Sequence, residues 1–201
     1  MRLQLALVSA LLLGSAQGSM IAGGEELIPP LARIQPDRPR LLLRPGSSRL
    51  AISLAQLESL PRDADFRRML EQLEEQESAA AQAMVWLLTK DSAAAERAVK
   101  RMRAYRYPGE VDTFHIHSHL TELGLAYDWL YHHPSFGKDI KAEVRAAALP
   151  LAREAIRASD DHMFHNYIWM SAGGVAAWAL ATAGEDDAAN RVFEQVRQRF
   201  N

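Results

Sequence analysis

The chain has no cysteine among its 201 residues. This absence excludes a disulfide framework, a thiolate metal site, a cysteine nucleophile and lipid attachment through cysteine. Stability must therefore come from the packed core. A composition of 48% hydrophobic and 24% charged residues is sufficient for one globular domain with such a core.

An excess of positive charge is also absent. The formal net charge is −2, so the chain as a whole lacks the basic character of a nucleic-acid binder, and we predict no nucleic-acid partner. Segments that alternate apolar and polar residues as strands do are missing too, which favours an all-α fold.

The first 18 residues have the features of a secretory signal peptide. Arg2 provides a positive start, residues 5–13 are apolar, and Ala16-Gln17-Gly18 is a small-x-small cleavage site. The apolar run is shorter than the roughly 20 residues that span a bilayer. We predict a periplasmic or secreted protein with no membrane attachment after cleavage; the alternative is an uncleaved N-terminal anchor.

Two further regions follow the signal peptide. Residues 19–45 are rich in proline and predict a linker and extended lead-in. Within it, the apolar run Pro39-Arg40-Leu41-Leu42-Leu43-Arg44-Pro45 is suited to lying across a helical surface. Residues 46–201 predict antiparallel helix hairpins joined by short turns. The predicted helices are Ser47 or Ser48 to Leu60, Asp63 to Lys90 with a possible break at Gln76–Ser78, Asp91 or Ser92 to Tyr105, Thr113 or Ser118 to Tyr131, Pro134 or Ser135 to Ala158, Phe164 to Ala183, and a last amphipathic helix after Gly184.

The segment Phe164–Gly184 has no charged residue and carries its polar groups at its start. Asn166 lies one helical turn after His162, and His165 lies one turn before Trp169. An asparagine beside a histidine suits proton abstraction next to a carboxylate, because both side chains can donate hydrogen bonds to that carboxylate. The alternatives are a core helix with satisfied polar ends and a membrane span, for which the apolar part is too short.

Three alternating histidines, His115, His117 and His119, form a second candidate cluster. Glu122 is the nearest carboxylate, and no cysteine or acidic cluster completes a tetrahedral site. We therefore predict no metal and no cofactor. The histidines either line a polar groove or begin a solvated helix.

A third candidate is the basic and aromatic stretch Lys100-Arg101-Met102-Arg103-Ala104-Tyr105-Arg106-Tyr107. Cations and aromatic rings together suit an anionic sugar chain, and Tyr107 is the candidate contact. The alternative is that these cations complement the negative end of a helix macrodipole.

Several of these stretches together resemble the N-terminal helical domain of heparinase II/III-like polysaccharide lyases, including alginate and oligoalginate lyases. The similar segments are Pro39-Arg40-Leu41-Leu42-Leu43-Arg44-Pro45, Leu123-Gly124-Leu125-Ala126-Tyr127-Asp128-Trp129-Leu130-Tyr131, and His165-Asn166 followed by Gly173-Gly174. The resemblance covers about residues 36 to 201.

This resemblance implies part of an incomplete (α/α) toroid, followed in the family by a β-sandwich domain that is not in this chain. It implies β-elimination on an anionic polysaccharide or oligosaccharide that contains uronic acid. His165 and Asn166 would neutralise the uronate carboxylate, while His115, His117, His119, Tyr107 and Trp169 would bind substrate. The chain reads His then Asn where family members often read Asn then His, and the family's catalytic Tyr and further His lie beyond Asn201.

Two other functions remain open from the residues alone. One is a non-catalytic helical-repeat module that binds carbohydrate or protein. The other is a glycoside hydrolase, which needs two inward carboxylates; Asp128 and Asp160 or Asp161 are the candidates.

Overall fold

A computed structural model describes residues 28, 30–34, 36–41, 43–44, 52–107, 109, 113–161 and 166–200. The predicted signal peptide lies outside these residues. Within the described part, no helix is both long enough and apolar enough to cross a membrane.

The described chain is built from α-helices, and the all-α prediction is confirmed. The helices are α1 (Leu54–Glu58), α2 (Ala64–Glu74), α3 (Ala79–Thr89), α4 (Ser92–Ala104), α5 (Thr113–Trp129), α6 (Lys138–Asp161), α7 (Asn166–Thr182) and α8 (Asp187–Phe200). A short 3₁₀ turn, Leu31–Arg33, precedes them.

The predicted first helix, from Ser47 or Ser48 to Leu60, is wrong in extent. The helix is five residues long and begins after Ser53, whose side chain accepts a hydrogen bond from the Gln56 N–H while the Gln56 side chain accepts one from the Ser53 N–H. This reciprocal pair fixes the start of α1. Residues Ile52–Ser53 (β2) pair in parallel with Leu43–Arg44 (β1), a two-residue bridge that periodicity does not predict.

The starts of α2 and α4 follow the predicted residues Asp63 and Asp91, whose side chains accept backbone N–H groups. Ser78, which was not predicted as a cap, accepts one in the same way at the start of α3. The predicted break near Gln76–Ser78 is confirmed, because it separates α2 from α3. Each cap satisfies a backbone donor that the helix leaves without a partner.

Helices α3, α5 and α7 run in the same direction. Ala79 of α3 donates to Glu122 of α5, and Trp86 of α3 contacts His133, four residues after the end of α5, so residue numbers rise together along the two segments. Along α5 and α7, Gly174 lies against His117 and Gly124 lies against Ala177 and Trp178. The intervening connections return through α4 and α6, which makes successive helices antiparallel.

The contact between α5 and α7 is close because glycine stands on both helices. A Cβ on Gly174 would meet the His117 backbone at 2.8 Å, and one on Gly124 would meet the Ala177 and Trp178 backbone at 3.1 Å. The core continues from this contact with buried side chains of every helix from α3 to α8, among them Met102, Leu120, Tyr127, Leu151, Val175, Trp178 and Phe193.

Candidate functional site

Because α5 and α7 run in the same direction, both begin at one end of the fold. We call this the histidine end; it contains the first half of α5, the start of α7, and Tyr105 and Tyr107 after α4. His115 is exposed, His117 is buried and His119 is half-buried. The Gly173 Cα is close to His117, since a Cβ there would lie 4.0 Å from the imidazole Cε1.

Asn166 is the first residue of α7. It lies roughly 10 Å along the helix axis from Gly173, on the side where the chain enters α7. The backbone therefore brings the start of α7 to the same end as the three histidines. The side chains of Asn166 and Trp169 lie outside what the structure describes, as do residues 162–165, which include His162 and His165.

Two tyrosines complete the described part of the histidine end. The Tyr105 ring packs against the His119 ring with centroids 5.6 Å apart. Its hydroxyl is buried and has no hydrogen-bond partner among the described residues. Burial, with a smaller contribution from Tyr107, raises the pKa of Tyr105 to about 12. The phenol therefore remains protonated at neutral pH.

The basic stretch before Tyr107 is explained largely by local contacts. Arg106 donates to the backbone carbonyls of Arg103 and Tyr105 at the end of α4, at 2.6 and 2.7 Å. Arg103 pairs with Glu143 of α6, and Arg101 donates to the Glu77 carbonyl. These contacts support the alternative in which the cations complement a helix end. Tyr107 is half-buried against the core.

At the opposite end of the fold, α5 and α7 terminate under residues 38–41, which we call the strap. Asp128 of α5 is buried and accepts three hydrogen bonds: from Arg38 Nη1 at 2.9 Å, from the Arg40 N–H at 2.7 Å and from the Leu41 N–H at 2.8 Å. Trp129 Nε1 donates a hydrogen bond to the Leu41 carbonyl at 3.1 Å. Residues 38–41 of the lead-in thus lie on a helical surface.

The Asp128 carboxylate is held by the strap and is not available as a catalytic carboxylate facing a substrate. Burial raises its pKa, while the bonds from Arg38, Leu41 and Arg40 act in the opposite direction. The carboxyl group is 0% exposed and its oxygens are held by the strap, so it cannot reach a sugar. The glycoside hydrolase alternative loses this candidate, and the side chains of Asp160 and Asp161 lie outside the described residues.

The strap also closes the end of α7. Arg38 donates to the Ala181 carbonyl and to Glu185, and Arg40 donates to the carbonyls of Leu180 and Ala183. The Leu180 and Ala181 carbonyls belong to the last turn of α7 and Ala183 follows its last residue, where intrahelical donors are lacking. Two guanidinium groups therefore satisfy and neutralise the negative end of α7.

A network around Tyr127 and Tyr131 extends this anchor to α6. Arg145 donates to the Tyr127 hydroxyl at 2.7 Å and pairs with Glu185 and Asp186. Burial, with the nearby Glu185 carboxylate, raises the pKa of Tyr127, while Arg145 opposes the shift. Two cations lie over the Tyr131 ring in cation–π contact, with Arg38 Cζ 4.3 Å and Lys141 Nζ 3.6 Å from the ring centroid.

A small pocket of about 160 Å³ lies near the strap end rather than the histidine end. It is bordered mainly by small apolar side chains of α6, α7 and α8, with Arg145 and Asp186 at its edge. Ligand sites usually enclose about 300–1,000 Å³. We assign this pocket to imperfect helix packing.

Within the described residues, no group of three or more histidine, aspartate or glutamate side chains is arranged to hold a metal ion. The searches for relatives of known function are also negative: no family model, curated protein or solved structure matches this chain. Function must therefore be argued from the geometry.

Sequence reasoning missed the strap network. Arg38, Glu185 and Arg145 lie far apart in the chain and none belongs to a motif by itself. The one available signal was the resemblance itself, since two of its segments, the lead-in and the Tyr127–Trp129 stretch, meet at Asp128.

Proposed function

We propose that this chain is the N-terminal part of an incomplete (α/α) toroid from an exported polysaccharide lyase that cleaves uronic-acid-containing glycans by β-elimination. The observation that carries the proposal is that α5 and α7 begin at the same end, so that one end of the fold combines the three histidines, of which His117 is buried, with the start of the helix bearing Asn166. The helix order supports the toroid: α3, α5 and α7 run in one direction with returning helices between them.

The chemistry of this end suits an anionic sugar. The N-terminus of a helix carries partial positive charge and backbone N–H donors that make no intrahelical bond. Two parallel helices present these charges and donors at the same end of the fold. Histidines supply further donors for a carboxylate. A surface of this kind can hold a uronate group. At the strap end, by contrast, Arg38 and Arg40 occupy the negative C-terminus of α7.

In the proposed reaction a base takes the proton at C5 of a uronate, next to the carboxylate, the C4=C5 double bond forms, and the 4-linked oxygen leaves as an alcohol after taking a proton from an acid. In the resembled family a tyrosine and a histidine fill the roles of base and acid. Asn166 and His165 would donate hydrogen bonds to the carboxylate as negative charge develops on it. Stabilising that charge is the largest single contribution such a site can make. His115, His117, His119, Tyr107 and Trp169 would hold the neighbouring sugars.

A second candidate is a module that binds the glycan without cleaving it. The observation that favours it is that the Tyr105 hydroxyl, the described phenol at the histidine end next to His119, is buried, so this tyrosine is not placed to take a proton from a bound sugar. Binding and cleavage therefore need separate measurements.

Binding is tested by thermal unfolding of the protein with uronate oligosaccharides and with neutral oligosaccharides of equal length. We expect only the uronates to raise Tm, because a ligand stabilises the state it binds. His115→Gln should reduce the shift, while His132→Gln, which changes an exposed histidine near the strap end, should leave it intact. Absence of stabilisation by any uronate contradicts both candidates.

Cleavage is tested by incubating the full-length protein, including any residues that follow Asn201, with alginate, heparan sulfate and related uronides and following the absorbance of the unsaturated product. Product formation that disappears in His165→Ala or Asn166→Ala supports the lyase and its site. Binding without product from any uronide supports the non-catalytic module. Full activity in both variants would refute the site assignment.

A further inference from the structure

One lysine of this chain has surroundings that the others lack. The four lysines are Lys90, Lys100, Lys138 and Lys141. Lys141 is half-buried, whereas the other three are exposed. Its Nζ lies 3.6 Å from the centroid of the Tyr131 ring and 5.7 Å from that of the Phe136 ring. Within the described part of the chain, the Lys141 ammonium group makes no ion pair or hydrogen bond.

The carboxylate that favours the Lys141 ammonium group is Glu185, and two arginines already bind it. Glu185 Oε1 accepts a hydrogen bond from Arg38 Nη2 at 3.2 Å, and Oε2 accepts one from Arg145 Nη1 at 3.3 Å. Both oxygens are therefore bonded to a guanidinium group rather than to the lysine. The two arginines also place positive charge beside Lys141.

The position of Lys141 in its helix is unfavourable for a cation as well. It is the fourth residue of α6, and the first turn of a helix carries partial positive charge. Burial lowers the pKa of Lys141; Arg38 and Arg145 act in the same direction and Glu185 opposes them. The aromatic rings favour the ammonium form, but a cation–π contact at a partly exposed site is weaker than a hydrogen bond to a carboxylate.

A lysine that is partly desolvated beside other cations is a nucleophile, because the unprotonated amine is the form that attacks. We propose that Lys141 is a covalent binding site for small aldehydes, which it holds as imines. Nζ bonds to the carbonyl carbon, and the carbonyl oxygen leaves as water with the two amine protons. The imine then takes a proton from solvent.

The surroundings of Lys141 favour aldehydes over acyl donors. A protonated imine keeps a positive charge over the Tyr131 ring and so retains the cation–π contact, whereas an acylated lysine is neutral and loses it. The site lies at the strap end, away from the histidine end. The inference is therefore independent of the proposed glycan chemistry.

The test treats the full chain with a limiting amount of propanal and sodium cyanoborohydride, which reduces each imine to a stable secondary amine. Peptide mass spectrometry then gives the labelling rate of each lysine. Near neutral pH, Lys141 should be labelled at least about fivefold faster than Lys138 or Lys100. Lys138 is the matched control, because it begins the same helix but is exposed. Equal rates at the three lysines would overturn the proposal.

A second measurement tests the role of the neighbouring charges. Arg145→Gln removes one cation and releases Glu185 Oε2, so it should lower the labelling of Lys141 relative to Lys138 at least about twofold. Arg153→Gln, which changes an exposed arginine further along α6, should leave this ratio unchanged. An unchanged ratio in folded Arg145→Gln would refute the site. If that variant does not fold, the ratio in the wild-type chain decides.

Discussion

Gly174 is a residue whose missing side chain sets the distance between two helices. A Cβ there would lie 2.8 Å from the Cα and carbonyl oxygen of His117. These are backbone atoms and cannot swing away as a flexible side chain can. Gly173, its neighbour, would place a Cβ at an ordinary 4.0 Å from His117 Cε1, so the two positions form a matched pair.

We expect Gly174→Ala to destabilise the fold by about 1–2 kcal/mol. Overpacking typically costs about 1–3 kcal/mol, and the better helix propensity of alanine recovers up to about 1 kcal/mol. Gly173→Ala gains the propensity without the clash and should be neutral or stabilising. Urea unfolding of both variants checks this prediction, and a stabilised Gly174→Ala would contradict the close α5–α7 contact.

Asp128 is a second residue with a position-specific role. Asp128→Ala leaves Arg38 without its most buried partner and two strap N–H groups without an acceptor, and should cost about 3–5 kcal/mol. Asp128→Asn retains an oxygen for the N–H groups of Arg40 and Leu41, and should cost less. Chemical denaturation gives the ranking, with wild type above Asn and Asn above Ala; equal losses would show that only the charge matters.

At the scale of single elements, the start of α8 is controlled by Asp186. Its Oδ1 accepts the Ala189 N–H at 2.8 Å and its Oδ2 pairs with Arg145 at 2.7 Å. Partial burial raises the pKa of Asp186, but the hydrogen bonds from Ala189 and Arg145 outweigh it, so the pKa lies below its ordinary value. The ionised form is thus favoured in the folded chain.

A carboxyl group with a lowered pKa contributes stability above the ordinary value, about 3.9 for aspartate, and loses it as pH falls through the lower folded value. We therefore expect Asp186→Asn to lose a few tenths to about 1 kcal/mol near pH 6, since the pair is partly exposed. Below about pH 3 the difference from wild type should shrink. Urea titrations from pH 2.5 to 6 measure this, with the exposed Asp187→Asn as control. A difference that does not vary with pH would count against the ion pair.

The elements show what the sequence can and cannot specify. Caps such as Asp63 and Asp91 act within three residues, so a local pattern predicts them. The start of α1 is not predicted correctly because it depends on the Ser53–Gln56 pair, and the sequence offers Ser47 and Ser48 as equally plausible caps. The contact between the strap and α5 is not predicted because Asp128 and Leu41 are 87 residues apart, and no local pattern encodes such a contact.

At the scale of the whole molecule, the order of helices was predictable from apolar periodicity, and so was the clustering of polar groups at the beginnings of two helices. Their meeting at one end was not, because it depends on α5 packing directly against α7, at the close contacts of Gly124 and Gly174. Periodicity shows which face is buried, but not which neighbour it meets.

The parallel course of α5 and α7 also bears on how fast a ligand arrives. The net charge of −2 weakly repels an anionic chain, so attraction depends on the local field at the histidine end. Such a field acts within roughly a Debye length, about 8 Å at physiological salt and about 30 Å at 0.01 M. We expect added salt to lower the association rate of a uronate oligosaccharide far more than it raises the dissociation rate, a difference that stopped-flow fluorescence resolves. An association rate independent of salt would mean that helix polarity does not guide the encounter, and that collision alone limits capture.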